Sequence, residues 1–336
     1  MRTRELAGKP IVSVGLGDVS FKRASKRHRD PAEALRRVHE ALEASIDLID
    51  VAPEEDTERA VADAVRALRV RDRAIIATRL PELTELPGGA PTRDRMLERL
   101  PVRYVIDRVD AVLRNTKLDA LPLVQLPMRA KWRTSSAWAE LVGTCARLVT
   151  DGKVLRWGAI ASEAEIANES WLASIAISFS VCQRDAVPLL LACAGKPIAV
   201  LARYPLAGGA LAGTLGPGVN FAPHDDRREL APEQLEAIAV GVAKLASRVK
   251  REPIAARSCD AASAIMETSV RPPFIVATTI AELALRYAID RGTIPLPRIH
   301  KPDDLMELVL CAAAERLPDP LIAKIDELFP DPIADS

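Results

Sequence analysis

Short apolar runs alternate along this chain with longer amphipathic stretches, almost without a break. Residues 11–17, 46–51, 73–78, 121–126, 154–160, 174–181, 198–201 and 293–296 are compact and mostly apolar, and they read as buried strands. Residues 31–44, 57–68, 102–115, 138–149, 186–194 and 303–314 carry apolar side chains at helical spacing, and 162–169 reads as a shorter helix. A strand followed by a helix at intervals of roughly 30 residues predicts parallel βαβ units. Right-handed crossovers then leave an open doubly wound sheet or a closed barrel, and eight units favour a (β/α)8 barrel. The open sheet also lacks its usual mark. Gly15-Leu16-Gly17 follows the first strand, but no third glycine opens a helix there. Residues 81–101 and 206–232, rich in Pro and Gly, are expected to be loops, and loops after strands build a barrel's working face.

Bulk properties narrow the choice of function. The 336 residues suit one barrel domain, and such a chain buries a large core without staples. With 46 basic against 46 acidic side chains there is no net charge to favour phosphate backbones, so nucleic acid is not an expected partner. The densest basic run, residues 22–29, reads as a solvated loop. Five cysteines at irregular intervals suit reduced thiols in a cytoplasm, and the four histidines show no metal-ligand spacing. Residues 1–10 carry charge and no apolar stretch, and no window approaches a membrane span, so neither a signal peptide nor membrane attachment is expected.

Several segments, in order, resemble the aldo-keto reductase superfamily. Ile49-Asp50-Val51-Ala52 looks like the end of the family's second strand, with Glu58 in the helix after it. Asp110-Ala111-Val112-Leu113 with Leu118-Asp119 resembles a helix end, and Leu123-Val124-Gln125-Leu126 the fourth strand. The stretch from Gly152-Lys153-Val154 to Trp157-Gly158, the run from Ala202 to Leu211, the helix Ala281 to Tyr287 and the segment Leu296 to Glu307 extend the likeness. These matches cover about nine-tenths of the chain and imply a (β/α)8 TIM barrel over residues 1–336. Residues 251–274 have no counterpart and read as an insertion.

The resemblance also implies a chemistry. In this family a tyrosine protonates a carbonyl while NADPH delivers hydride, an Asp–Lys pair tunes the tyrosine, and a histidine orients the carbonyl. A phenol near pKa 10 is a weak acid at neutral pH without a buried cation beside it, so these residue types are not interchangeable. Carried over by position, Asp50 is kept, Glu55 stands for the tyrosine, Arg79 for the lysine and Pro127 for the histidine. Ile160 and Ala161 replace the Ser-Asn that holds the nicotinamide amide, and Leu308 replaces an asparagine. Tyr204 is expected near the nicotinamide position, followed by Leu206 and Gly208 in a glycine-rich run, while Arg298, His300 and Lys301 match the 2′-phosphate grip. Asp50, Glu55 and Arg79 are thus the candidate chemical groups. The expected protein is a divergent barrel in which NADPH binding is possible but eroded. It works by non-redox acid–base chemistry or by binding a small molecule or protein partner. The alternative is an NAD(P)H-dependent reductase that uses substituted residues.

Overall fold

The computed structural model describes residues 1–22, 30–86, 89–213, 232–246 and 279–329. The expected insertion at 251–274, most of the basic run and most of the second loop lie outside the described residues. The chain opens with a hairpin, β1 (Thr3–Leu6) paired antiparallel to β2 (Lys9–Val12). Eight parallel strands follow: β3 (Leu16–Val19), β4 (Leu48–Val51), β5 (Ile75–Arg79), β6 (Leu123–Pro127), β7 (Trp157–Ile160), β8 (Leu172–Ser178), β9 (Ala199–Arg203) and β10 (Thr293–Leu296). They are neighbours in sequence order, and Gly15 N and Gly17 N donate to the carbonyls of Pro295 (3.0 Å) and Pro297 (2.8 Å), joining the last strand to the first. The (β/α)8 barrel expected from the pattern is the observed fold.

Helices pack outside the strands. Among them are α1 (Pro31–Glu43), α2 (Glu55–Ala67), α3 (Met96–Arg99), α4 (Val102–Thr116), α5 (Ala137–Thr150) and α6 (Val187–Cys193). Toward the C-terminus come α7 (Pro232–Ala246), α8 (Ile280–Asp290), α9 (Pro302–Ala313) and α10 (Asp319–Leu328). Local chemistry sets several starts. Asp30 accepts from Ala32 N at 2.9 Å with Pro31 at the first helical position, and Thr279 accepts from Glu282 N at 2.9 Å, each satisfying a helix-end amide.

The first strand differs from expectation. Residues 11–17 were read as one barrel strand, but Ile11 belongs to the hairpin and the barrel strand begins at Leu16. Leu6 and Ile11 are buried in the apolar layer formed by Leu48, Ala77, Leu123, Ala176, Leu201 and Leu296, so the hairpin plugs the bottom of the barrel. An apolar run buried in a plug and one buried in a sheet look alike in sequence. The short helix expected at 162–169 is a 3-10 turn, Ala164–Asn168. The seam needs Gly17: a Cβ there would lie 2.0 Å from the Leu296 carbonyl oxygen.

Candidate functional site at the barrel mouth

Successive strand residues face opposite sides, so the residue two places beyond each inward apolar side chain faces inward again, one layer nearer the C-terminal mouth. Stepping from Leu48, Ala77, Leu123, Leu201 and Leu296 gives Asp50, Arg79, Gln125, Arg203 and Arg298. A polar layer thus caps the apolar one where barrels carry their sites.

These side chains are joined. Arg79 Nη2 donates to Asp18 Oδ1 at 2.5 Å, and Nε lies 3.4 Å from Asp50 Oδ1 while donating to the Val51 carbonyl at 3.2 Å. Asp50 Oδ2 accepts from Asp18 N at 3.2 Å, and Asp50 Oδ1 accepts from Gln125 Nε2 at 3.3 Å. Arg298 pairs with Asp18 Oδ2. All four carboxylate oxygens of Asp18 and Asp50 are therefore engaged by the protein. Asp50 is 1% exposed, and burial pushes its carboxyl pKa up against the pull of Arg79 and Arg203. Burial opposes the Arg79 charge, but Asp50 and Asp18 outweigh it and raise its pKa, so this guanidinium stays charged.

Tyr204 sits on the mouth with φ +55 and 38% exposure. The guanidinium carbons of Arg203 and Arg298 lie 5.2 and 5.9 Å from its ring centroid, and its phenol couples electrostatically to Arg79. The chain's other tyrosines are elsewhere: Tyr104 donates to the Pro81 carbonyl at 2.8 Å, and Tyr287 donates to Asp326 at 2.6 Å.

Glu55 stands apart from Asp50 and Arg79. It is the exposed first residue of α2, and no described contact links its carboxylate to Asp50 or Arg79. The preceding residue turns inward instead. Glu54 accepts from the Ser20 hydroxyl (2.5 Å), the amides of Phe21 (3.0 Å) and Lys22 (3.2 Å), and the Thr57 hydroxyl (2.7 Å). Burial opposes its charge, yet these donors hold its pKa below the usual range. Glu54 thus ties the first strand-to-helix loop to α2. Glu58 is also buried and pairs with Arg108 at 2.6 Å, a link between α2 and α4.

The model of the aldo/keto reductase family matches residues 13–329. The chain belongs to the aldo/keto reductase family. No curated protein matches it. Among solved structures it is similar to the aldo-keto reductase AKR11C1 from Bacillus halodurans in its holo form, at 18% identity and a TM-score of 0.70, covering 100% of this chain and 99% of that one. The glycerol dehydrogenase AKR11B4 from Gluconobacter oxydans gives 19% and 0.71, covering 99% and 98%. An aldo-keto reductase from Klebsiella pneumoniae in complex with NADPH gives 18% and 0.62, covering 100% and 98%. At these identities the structural likeness carries the fold.

The positions that the resemblance assigns to NADPH lie as follows. Ile160 and Ala161, at the end of β7 and just after it, present no polar side-chain atom. Arg298 turns inward to Asp18. The amides of His300 and Lys301 both donate to Asp304 Oδ2 at 2.9 Å, so the start of α9 is already capped by a carboxylate. Leu206 is half-buried against the core, and Gly208 is exposed with φ +66 in the turn Ala207–Ala212. Pro127 ends β6, and Trp132 beyond it is buried beneath the Arg129 guanidinium, 4.5 Å from the ring centroid. Among the described residues no His, Cys, Asp and Glu group could hold a metal, and no helix is long and apolar enough to cross a membrane.

Asp18, Gln125, Arg203 and Glu54 were not singled out from the sequence. The period-two step from the apolar layer is the signal that finds Gln125 and Arg203. Asp18 escapes it because its φ of +49 lies at an irregularity of the first strand.

Proposed function

We propose that this barrel binds a small molecule at its C-terminal mouth and does not carry out ordinary NADPH-dependent carbonyl reduction. One observation carries the reading: Arg79, standing where the family has its lysine, gives Nη2 to Asp18 and Nε to the Val51 carbonyl beside Asp50, and no described hydrogen bond joins it to a phenol. The two carboxylates have every oxygen engaged, so neither can take a substrate proton without breaking the cluster. That favours binding over acid–base catalysis at Asp50, which becomes a positioning residue for Arg79 and Gln125.

The cofactor positions support the same reading. With Ile160 and Ala161 at the amide end, and Asp304 on the amides that begin α9, the residues present do not fit NADPH in the family's manner.

A second reading rests on Tyr204, the only one of the three tyrosines at the mouth. Carbonyl reduction in this family uses a phenol as its proton donor, and Tyr204 brings one to the mouth near Arg203 and Arg298. One assay separates the two: NADPH fluorescence on titration with the purified chain, and NADPH oxidation with 4-nitrobenzaldehyde. The expected result is no saturable change and no oxidation above a no-enzyme control. Steady oxidation that disappears in Tyr204→Phe establishes the second reading instead.

A further inference from the structure

Three guanidinium groups, those of Arg79, Arg203 and Arg298, gather around Tyr204 at the mouth. Among the described residues two carboxylates, Asp18 and Asp50, stand with them, one fewer than the guanidiniums. The pairing shows where the difference lies. Arg79 and Arg298 are bonded to Asp18, and Arg79 also to Asp50. Arg203 makes no ion pair within 4 Å among the described residues; it feels Asp50 only at longer range, and its direct polar contact is a weak one, 3.5 Å from Nη2 to the Tyr204 hydroxyl. It lies at the end of β9, half-buried, in a ring of like charges. Converging cations in a partly desolvated place repel one another, and an anion relieves that repulsion.

Two further observations aim at this corner. Tyr204 holds a left-handed backbone, φ +55, which costs a non-glycine residue about 1 kcal/mol or more and persists only where surroundings impose it. Tyr204 is 38% exposed, with its ring beside the Arg203 guanidinium. A flat apolar face next to a bidentate cationic fork fits a planar carboxylate carried on an apolar body.

We infer that Arg203 and Tyr204 form a binding site for a small monocarboxylate, with Arg203 pairing the carboxylate and Tyr204 supporting the body of the ligand. A single negative charge balances the cluster, whereas a phosphate dianion overshoots it. The assignment deepens the reading above, since it rests on the mouth holding a ligand other than a nicotinamide cofactor.

The test uses the full chain, with sodium benzoate as probe and benzamide as its neutral isostere, by titration calorimetry at low ionic strength. Benzoate should bind saturably and benzamide about tenfold more weakly or worse, because a charge-assisted bidentate contact is lost. Arg203→Gln should weaken benzoate about tenfold to a hundredfold, with Arg203→Lys recovering part of the loss. Thermal melts of both variants should match the unmodified chain, which separates lost binding from lost fold. Equal affinity for benzoate and benzamide, no benzoate binding at all, or an unchanged Arg203→Gln each overturn the assignment. A parallel NADPH titration separates its failure from that of the proposed function. NADPH that binds without displacing benzoate overturns only the no-cofactor reading. NADPH that displaces benzoate and is lost in Arg203→Gln overturns both, since the anion recognised is then a cofactor phosphate.

Discussion

Replacing Arg79 by methionine keeps an unbranched stem in the barrel and removes the charge that holds two acids together. Asp50 is 1% exposed, so the variant strands a buried carboxylate. Breaking a buried pair from one side costs about 3–5 kcal/mol, because the remaining charge stays desolvated. Asp18 keeps Arg298, and Asp50 keeps the Gln125 amide and the Asp18 N–H, so the lower end, about 3 kcal/mol, is expected. An unfolding entropy of roughly 2.1 cal/mol/K per residue over 336 residues converts this to about 4 °C in Tm.

The loss should depend on pH with a definite sign. Arg79 is the largest influence lowering the Asp50 pKa, so without it burial lifts that pKa further above the unfolded value of about 3.9. The folded acid then keeps a proton that the unfolded chain gives up. Stability therefore falls as pH rises through the window between the two values, and the deficit shrinks as pH drops toward about 4. Differential scanning calorimetry from pH 4.5 to 8 reads this directly. Adding Asp50→Asn to Arg79→Met should restore part of the stability at neutral pH. A deficit below about 1 kcal/mol that is flat with pH would falsify the buried cluster and mark the pair as solvated.

Three other outcomes are expected. Glu54→Ala should cost about 1–2 kcal/mol at pH 7 and loosen residues 20–22 in hydrogen exchange. Because the folded Glu54 pKa is depressed, that contribution is present above the unfolded value of about 4.3 and disappears as pH falls through the folded one; a deficit that grows in acid refutes it. Gly17→Ala should cost about 3 kcal/mol in denaturant unfolding, since its Cβ meets backbone at 2.0 Å rather than a movable side chain, and an unchanged midpoint refutes the tight seam. Glu55→Gln should stay within about 0.5 kcal/mol of the parent in melts, as an exposed helix-start residue does, and a larger loss returns Glu55 to the site.

The barrel was legible because its evidence is repeated. A misplaced boundary, such as Ile11 assigned to the first strand rather than the plug, leaves seven other units to carry the topology. The site has no such redundancy. Asp50 and Arg79 could be placed because each ends an apolar run in a recognisable segment, and they do lie 3.4 Å apart. The carboxylate after the second barrel strand is harder to assign, since Glu54 and not Glu55 turns inward. Counting along the chain cannot tell which of Glu54, Glu55 and Asp56 turns inward where a strand gives way to a helix. The Ser20 and Thr57 hydroxyls decide that, and they come from both sides of the gap.

Asp18 exposes the deeper limit. Its role depends on a left-handed backbone at one strand and on arginines 61 and 280 positions away, so no local pattern announces it. Yet Asp18 changes what the arginine at position 79 can do. An arginine beside Asp50 alone would still leave part of its fork for a substrate. Asp18 takes Nη2, Val51 takes Nε and Asp50 lies alongside, and on the proposed reading the cationic group that meets a ligand is Arg203, across the barrel. On the proposed reading, the ligand-facing charge therefore sits at the end of the seventh barrel strand, at Arg203, and not at the end of the third, at Arg79.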